Sequence, residues 1–216
     1  MKIEYFGHSC FRVTDKNGVS WLSDPYTGVG YALPAHLTAD FVTVSHGHFD
    51  HNAMHLVDCK SVINKVGKFE TNGVSLQGIR TWHDEKGGAL RGENIVYLVE
   101  MDGLILCHLG DIGQQLDKEF LQALGAVDIL MIPIGGTYTI DAVQAKACVD
   151  AIEPKIVLPM HYKPLDGTID ITDEKPFLLL CSHVKHIGAK AYWLSEEDTK
   201  ANDTRVLFME RICEQA

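Results

Sequence analysis

The sequence predicts a mixed α/β (α+β) fold in which two β-sheets pack together between outer helices, a four-layer αββα sandwich. The first half of the chain carries strand patterns joined by hairpin turns, and the second half alternates buried strands with helical patterns. Because strands and helices each bury one face, this order favours stacked layers. Periodicity by itself supports other mixed α/β layouts nearly as well. The 216 residues suit one domain over 1–216 better than two small ones.

The strands of the first half are marked by alternation and by turn residues. Residues 2–24, KIEYFGHSCFRVTDKNGVSWLSD, alternate on both sides of the turn DKNG, which predicts a hairpin. The β-branched run DFVTVS at 40–45 predicts a short strand, and further strands are predicted in SVINKV and GVSLQGI. The stretch ENIVYLVEMDGLILCHLGD at 93–111 predicts a second hairpin with its turn at MDG.

Helical patterns follow in the second half of the chain. QQLDKEFLQALG repeats apolar residues at helical spacing and stops at Gly125. DAVQAKACVDAIEP begins with Asp141 as the N-cap and stops before Pro154. DEKPFLLLCSHVKHIG, at 173–188, is predicted as a third helix. Buried strands are predicted between these helices in VDILMIPIGG, KIVLPMHY and KAYWLS.

The charge of the chain limits its partners. The formal net charge is −10, and no run of Lys or Arg interrupts it. Such a surface repels the backbone of nucleic acids. We therefore predict a small-molecule substrate and no nucleic-acid partner.

Cysteine usage and hydropathy indicate the compartment. The six cysteines form no C-x-x-C pair and most have apolar neighbours, which predicts buried reduced thiols rather than disulfides or zinc ligands. The N-terminus MKIEYFGHS has no apolar core of signal-peptide length, and no apolar run reaches about 18 residues. We expect a soluble, cytoplasmic protein that does not contact a membrane.

The stretch SHGHFDH, at 45–51, concentrates three imidazoles and a carboxylate directly after a predicted strand. In extended chain His46, His48 and Asp50 point the same way, and a turn lets His51 reach round from the other side. Such ligands suit Zn²⁺, Mn²⁺ or Fe²⁺ rather than Ca²⁺, which takes oxygen ligands. Structural zinc sites usually recruit Cys, and none is near. We predict a catalytic metal site rather than solvated loop histidines or structural zinc.

SHGHFDH resembles the H-x-H-x-D-H signature of the metallo-β-lactamase superfamily, and the resemblance extends over nearly the whole chain. Other family elements are matched in order by Asp24 in SDP, His83 in RTWHDEKGG, Asp111 in HLGD and His161 in LPMHY. The resemblance implies an αββα fold with a metal pair at one edge. Within the superfamily, the chain looks most like the single-domain group that contains ascorbate-phosphate lactonase and other metal-dependent hydrolases. HLGDIG departs from the GDTG of phosphodiesterase relatives, which weakens any transfer of their substrates.

The resemblance also implies roles for individual residues. His46, His48 and His83 would hold a first metal, Asp50, His51 and His161 a second, and Asp111 would bridge both. We expect two divalent ions, with Zn²⁺ favoured over Mn²⁺ or Fe²⁺. A metal-bridged hydroxide would then attack an ester, lactone, amide or phosphodiester. Asp50 and Asp111 are the predicted catalytic carboxylates, and Asp50 would steer the water or hand a proton to the leaving group.

Two other functions share this signature. The thiol dioxygenase branch of the superfamily carries it, so a mononuclear iron redox enzyme is the alternative to a hydrolase. A metal-dependent binding protein without activity is a third interpretation. The diiron oxygen reductases of the superfamily replace one imidazole of the signature with Glu, so His48 argues for hydrolysis.

Three polar residues have competing interpretations around the predicted centre. Asp24 either orients the signature loop or a ligand imidazole, or forms a plain turn before Pro25. His8, in FGHSC, either points at the metal cleft as a substrate or proton donor or packs elsewhere. Alternation puts His108 on the opposite strand face from Asp111, so we expect it behind the ligands or in packing rather than in ligation.

Four further residues are candidates for the substrate cleft. Tyr138, in PIGGTYTID, and Tyr162, after the last ligand, are predicted as cleft-wall donors. Arg91 and Asn94, in LRGEN, either bind an anionic substrate group near His83 or brace the loop that carries it. For a phosphate or carboxylate substrate, Arg91 is the first candidate because its guanidinium is planar and permanently charged.

Overall fold

The computed structural model describes residues 1–200 and 203–213, and within them the strands form two packed sheets. The first sheet contains β1 (Lys2–Gly7), β2 (Cys10–Thr14), β3 (Ser20–Ser23), β4 (Leu37–Thr43), β5 (Val57–Ile63) and β13 (Tyr192–Trp193). The second contains β6 (Gly67–Thr71), β7 (Val74–Trp82), β8 (Glu93–Met101), β9 (Leu104–His108), β10 (Ile129–Pro133), β11 (Ile156–Met160), β12 (Val184–Ile187) and β14 (Arg205–Met209).

The first sheet has the strand order β13-β1-β2-β3-β4-β5. Strands β2 and β3 pair antiparallel, so the hairpin predicted at DKNG is confirmed. In its turn, the Asp15 carboxylate accepts hydrogen bonds from the amides of Asn17 at 2.9 Å and Val19 at 2.8 Å. Strands β3, β4 and β5 are parallel, which brings the chain segments that follow them to one edge.

The second sheet has the order β12-β14-β11-β10-β9-β8-β7-β6. Its β8–β9 hairpin turns at Met101–Leu104, as MDG predicts. Strands β9, β10 and β11 are parallel, so their carboxyl ends share one edge. The segments after β9, β10 and β11 carry three of the stretches that the sequence singles out: HLGD, PIGGTYTID and LPMHY.

Side chains of the first sheet alternate between two buried clusters. Trp21 and Phe41 face the core between the sheets, whereas their neighbours Leu22 and Val42 face an outer cluster. Each fully buried apolar side chain of this size contributes roughly 1.5–3 kcal/mol to folding. The Trp21 Nε1–H donates to Thr43 Oγ1 at 2.9 Å, so its polar atom is also satisfied. Burial on both faces explains why these strands are predominantly apolar.

Helices cover the second sheet, whereas the first is covered mainly by loop. The helices are α1 (Lys118–Leu124), α2 (Ala142–Ile152), α3 (Lys175–Leu178) and α4 (Glu196–Lys200), with a 3₁₀ helix at Met54–Leu56. The predicted cap at Asp141 is confirmed as a capping box with Gln144. Over the first sheet, Tyr26 and Val29 of a long loop pack into the outer cluster. In the part of the chain that the structure describes, no helix has the length and apolarity to span a membrane.

The third predicted helix is wrong beyond its first turn. Helix α3 ends at Leu178, and Val184–Ile187 is strand β12 instead. Strand β12 pairs parallel with β14. The sequence pattern also failed to predict strands β14 and β6. The apolar run at 177–181 suggested helical continuity, but a partner strand some twenty residues later is available only in the folded chain.

Glu4 links β1 to β2 through a buried ion pair. Its carboxylate accepts from Arg12 Nε at 2.8 Å and Nη2 at 3.0 Å, and Lys2 Nζ lies 2.9 Å away. Burial raises the pKa of Glu4, but the hydrogen bonds from Arg12 and Lys2 outweigh it and leave the pKa lowered. The charged form therefore stabilises the fold.

We expect Glu4→Gln to lower the free energy of unfolding by about 1–2 kcal/mol at pH 7, because Arg12 loses a charged, bidentate partner. The pKa of Glu4 in the folded protein lies below its value of about 4.3 in the unfolded chain. The difference in free energy of unfolding between the two proteins is therefore fully present above about pH 4.3. It is lost as the pH falls through the folded pKa. Urea unfolding at pH 7 and at pH 3 measures both values.

Asp150→Asn is the control for this prediction. It removes an exposed ion pair with Lys146 on α2, whose expected contribution is below about 0.5 kcal/mol. A Glu4→Gln difference that is the same at both pH values would contradict the role of the carboxylate charge.

Candidate metal centre

The predicted metal-binding residues lie at one edge of the two sheets, in the segments that follow strands. Residues 46–51 follow β4, and Asp24 follows the parallel neighbour β3. From the second sheet, His83 follows β7, Asp111 follows β9 and His161 follows β11. The fold therefore gathers residues from distant parts of the sequence at this edge.

The potential ligand atoms there form two groups of His and Asp residues and a third group that joins them. Nitrogen atoms of His46, His48 and His83 lie within 4.8 Å of one another. A second group, with the same limit on its distances, consists of His8, Asp50, His51 and His161. These two groups correspond to the two ligand sets that the resemblance implies, with His8 in addition. The third group consists of His46, His51 and Asp111 and takes one imidazole from each set. Ligation itself stays a prediction.

Asp111 lies between the two groups. Its Oδ2 is 3.3 Å from His83 Nε2 and 3.1 Å from His161 Nε2. Its Oδ1 is 3.2 Å from His51 Nε2. Burial raises the pKa of Asp111, but the His161 and His51 imidazoles bring it well below its usual range, so the carboxyl is ionised. One buried anion thus contacts imidazoles of both groups.

Several polar atoms of this cluster are buried without a partner in hydrogen-bond geometry among the described residues, although three of them lie 3.1–3.2 Å from an atom of Asp111 or an imidazole. They are His46 Nε2, His51 Nε2, His161 Nε2, His161 Nδ1 and Asp111 Oδ1. A buried polar atom left unsatisfied costs about 1–3 kcal/mol, so such a concentration is unusual in a native fold. Convergent imidazoles and a carboxylate are the donor set of Zn²⁺, Mn²⁺ or Fe²⁺ sites. The residues present fit the metal that the resemblance implies.

Asp24 orients two of these imidazoles from behind. It is fully buried, and its Oδ2 accepts from His51 Nδ1 at 2.8 Å and from Ser45 Oγ at 2.5 Å. Ser45 Oγ in turn accepts from His46 Nδ1 at 2.9 Å. With both Nδ1 atoms acting as donors, both Nε2 lone pairs face the cluster. This geometry corresponds to the orienting interpretation of Asp24 rather than to a plain turn.

His83 is oriented in the same way by backbone. Its Nδ1 donates to the Tyr138 carbonyl oxygen at 3.1 Å, which leaves Nε2 facing Asp111. For His46, burial lowers the pKa to about 3, so the ring is neutral at pH 7 and free to donate a lone pair to a cation.

Asn94 braces the segment that carries Asp111. Its Oδ1 accepts from the Asp111 amide at 2.9 Å, and its Nδ2 donates to Thr81 Oγ1 at 2.8 Å and to the Leu109 carbonyl at 2.9 Å. All polar atoms of this buried side chain are thus occupied. Gly110 is required beside it, because a Cβ there would lie 2.3 Å from Asn94 Oδ1. Asn94 therefore braces the site and is not available to bind an anion.

His8 lies inside the cluster. Burial lowers its pKa to about 4, so the neutral ring donates from Nε2 to Asp50 Oδ2 at 3.1 Å. Its backbone has a φ of 53°, and its carbonyl accepts from the His161 amide at 2.8 Å and from the Tyr5 hydroxyl at 3.0 Å. These bonds hold an unfavourable backbone conformation at the centre. His8 thus belongs to the cluster rather than packing elsewhere, and it is not among the residues that line the open cleft.

His108 and Tyr162 lie away from the cluster. His108 is buried, donates from Nε2 to the Ser9 carbonyl at 2.9 Å and accepts at Nδ1 from the Gly110 amide at 3.1 Å. It braces the end of β9 behind the ligands, as its alternation with Asp111 indicates. Tyr162 is not a cleft-wall residue: its hydroxyl donates to the Met209 carbonyl at 3.4 Å, and it lines a separate cavity.

An open cleft of about 510 Å³ leads from the cluster to the surface. It is lined by His48, Phe49, Asp50, His83, Arg91, Asp111, Tyr138, Thr168, Ile169 and Asp170. Of the predicted substrate residues, Arg91 and Tyr138 are therefore placed in the cleft. Phe49 and residues 168–170 were missed, because no ligand spacing marks them and the loop at 168–170 reaches the cleft only through tertiary packing.

Comparisons with known proteins agree with this site. Residues 2–161 match the family described as the β-lactamase superfamily domain. A metal-dependent hydrolase of the UPF0173 group from Carboxydothermus hydrogenoformans is 33% identical, over 75% of this chain and 84% of its own length. Another metal-dependent hydrolase of the UPF0173 group, from Thermoplasma acidophilum, is 32% identical, over 77% of this chain and 85% of its own length.

A solved structure shows the same similarity over nearly the full chain. It is a Thermotoga maritima protein named as a candidate Zn-dependent hydrolase of the metallo-β-lactamase superfamily. It shares 35% identity, covers 96% of this chain and 97% of its own, and aligns with a TM-score of 0.81. The names of these relatives do not favour the redox alternative. The chain belongs to the metallo-β-lactamase superfamily, and it is a metal-dependent hydrolase.

Proposed function

We propose that this protein hydrolyses an ester, lactone, amide or phosphodiester bond of a small molecule with two divalent ions, Zn²⁺ in the first place. The observation that carries the proposal is the pair of ligand groups on either side of Asp111, with their buried unpartnered atoms. His46, His48 and His83 would hold one ion, and Asp50, His51 and His161 the other. Asp111 would contact both, since a shared anion offsets the repulsion of two cations.

The chemistry divides between the ions and the side chains. When bound, divalent ions lower the pKa of water and polarise the bond to be cleaved. Asp50 faces the open cleft, where it can orient a water molecule. Burial raises the pKa of Asp50, but the hydrogen bond from His8 and the charge of His51 hold it well below its usual range. Asp50 is therefore ionised at neutral pH, which suits it to bind a cation or to accept a hydrogen bond that orients water rather than to take up a proton.

The size and charge of the molecule support a small substrate. A cleft of about 510 Å³ is within the range of small-molecule sites. The net charge of −10 opposes binding of a nucleic-acid backbone. The six cysteines are all free thiols, which fits a reducing compartment, and we propose a cytoplasmic location.

Metal analysis is the first test of this proposal. Protein purified without added metal should contain close to two zinc ions per chain by elemental mass spectrometry, and it should cleave at least one member of a panel of activated esters, lactones, amides and phosphodiesters. One iron per chain together with oxygen consumption would instead establish the redox alternative. A chelator should lower the melting temperature, because an ion bound only to the folded state stabilises it.

We expect Asp111→Asn to lose one ion and most of the activity, because a neutral amide cannot offset the charge of two cations. The fall in kcat/KM should exceed the roughly 10- to 100-fold that loss of an outer contact to a metal ligand typically costs. Elemental analysis and initial rates on the cleaved substrate measure both effects. Asp58→Asn, an exposed change on β5, is the control and should keep both ions. Full metal occupancy with normal turnover in Asp111→Asn would contradict the proposal that Asp111 contacts both ions.

Asp24→Asn should weaken metal binding without unfolding the protein. Asp24 has a φ of 38°, a conformation that Asn tolerates, so the backbone can be kept. The amide cannot hold Ser45 and His51 as the carboxylate does, so we expect metal affinity to fall by roughly 10- to 100-fold. Competition with a chromogenic chelator measures the affinity, and circular dichroism checks the fold. Unchanged affinity would show that Asp24 is only a turn residue.

A further inference from the structure

The loop between β7 and β8 is shaped by a single buried carboxylate. Asp84 accepts hydrogen bonds from the backbone amides of Lys86 at 2.8 Å, Gly88 at 3.0 Å, Leu90 at 2.9 Å and Arg91 at 2.8 Å. The loop ends are joined as well, since the His83 amide donates to the Gly92 carbonyl at 3.1 Å. Arg91 is therefore held at a fixed place beside His83.

The Arg91 side chain is positioned by the segment that also holds His83. Its Nη2 donates to the Thr137 carbonyl at 3.1 Å, and its guanidinium carbon lies 5.5 Å from the centre of the Tyr138 ring. The next carbonyl, that of Tyr138, accepts from His83 Nδ1. Two consecutive carbonyls, those of Thr137 and Tyr138, thus hold the Arg91 guanidinium and the His83 imidazole in place. The guanidinium has further N–H groups that can donate to a bound substrate.

Arg91 differs from the other arginines in having no carboxylate partner among the described residues. The others pair as Arg12 with Glu4, Arg80 with Glu93, Arg205 with Asp198 and Arg211 with Asp166. Arg91 is also the one Lys or Arg that lines the cleft in the described part of the chain. A guanidinium that is held at this position by a carbonyl and an aromatic ring, and not by a carboxylate, can pair with an anion from outside the chain.

An apolar surface lies in the same cleft. Phe49 is 57% exposed although it directly precedes Asp50, and Ile169 lines the cleft with it. An exposed aromatic beside a reaction centre is typical of substrate contact. The cleft therefore offers a cation, an apolar wall and the predicted metal centre to one small molecule.

We propose that Arg91 is a specificity residue that binds an acidic group of the substrate, a carboxylate or a phosphate, while an acyl or aryl portion contacts Phe49 and Ile169. The inference rests on the proposed function, because it places the scissile bond at the His/Asp cluster. It identifies the substrate class as small amphiphilic acids whose charged group lies apart from the bond to be cleaved. Arg is suited to this role since its planar fork matches both anions in a bidentate way.

The kinetic test compares isosteric esters on the zinc-loaded protein. The probes are mono-4-nitrophenyl glutarate, the 4-nitrophenyl ester of 4-phosphonobutanoate and neutral 4-nitrophenyl pentanoate. We expect kcat/KM to be roughly 10-fold or more higher for at least one acidic ester, which corresponds to one charged hydrogen-bond pair. Which acid is preferred distinguishes a carboxylate from a phosphate source. Arg91→Met should remove the preference, mainly through KM; the readout is the ratio of kcat/KM for the acidic and the neutral ester within each protein, with zinc content measured alongside.

Lys86→Met is the matched control, because it removes a cation from the same loop at an exposed position outside the cleft. It should keep the preference of the natural protein. Arg91→Lys should restore the preference only in part, because an ammonium lacks the bidentate geometry. A preference that survives in Arg91→Met, or no preference in the natural protein, would overturn the assignment.

A binding measurement separates failure of this inference from failure of the proposed function. Calorimetry with the anilide analogues glutaranilic acid and pentananilide needs no turnover, and chromatography of the mixtures afterwards checks that neither amide bond has been cleaved. Tighter binding of the acid, lost in Arg91→Met and kept in Lys86→Met, supports the anion site even if no ester is cleaved; in that case it is the proposed hydrolysis that fails. Equal affinities for the two anilides would refute the anion site whatever the activity.

Discussion

The carboxyl ends of parallel strands meet at one edge of each sheet, and the whole site depends on that constraint. Parallel pairing of β3 with β4 puts Asp24 beside the 46–51 segment. Parallel pairing of β9, β10 and β11 aligns the segments that follow them in the second sheet. Because both sheets present these ends at the same edge of the sandwich, residues more than a hundred positions apart become neighbours.

A second requirement is that each imidazole present the correct nitrogen. His51 bonds directly to the buried Asp24 carboxylate, and His46 reaches the same carboxylate through the Ser45 hydroxyl. His83 uses a backbone carbonyl. In each case Nδ1 is occupied by an acceptor outside the cluster and Nε2 faces the cluster. Hydrogen bonding outside the cluster therefore selects the tautomer before any cation arrives, which removes an ordering cost from binding.

The sequence predicts the centre better than it predicts its surroundings. The 46–51 segment is local, so its spacing alone points to a metal, whereas His83, Asp111 and His161 needed the family pattern. Arg91 and Asn94 are three residues apart and equally polar, and only the fold separates them: Asn94 is enclosed in β8, and Arg91 lies on the loop before it. Tyr162 adjoins His161 but lines a different cavity. The role of Asp84 depends on closure of its loop, which no spacing rule encodes.

Thr137 illustrates what the site costs the molecule. It has a φ of 59°, an unfavourable conformation for a β-branched residue. That conformation directs the carbonyls of Thr137 and Tyr138 toward Arg91 and His83. Glycine at this position would relax the backbone, yet it would also free the segment to move. The protein thus gives up some stability to keep Arg91 and His83 in one geometry. Selection for thermal stability alone would tend to replace Thr137 and so to lose that geometry.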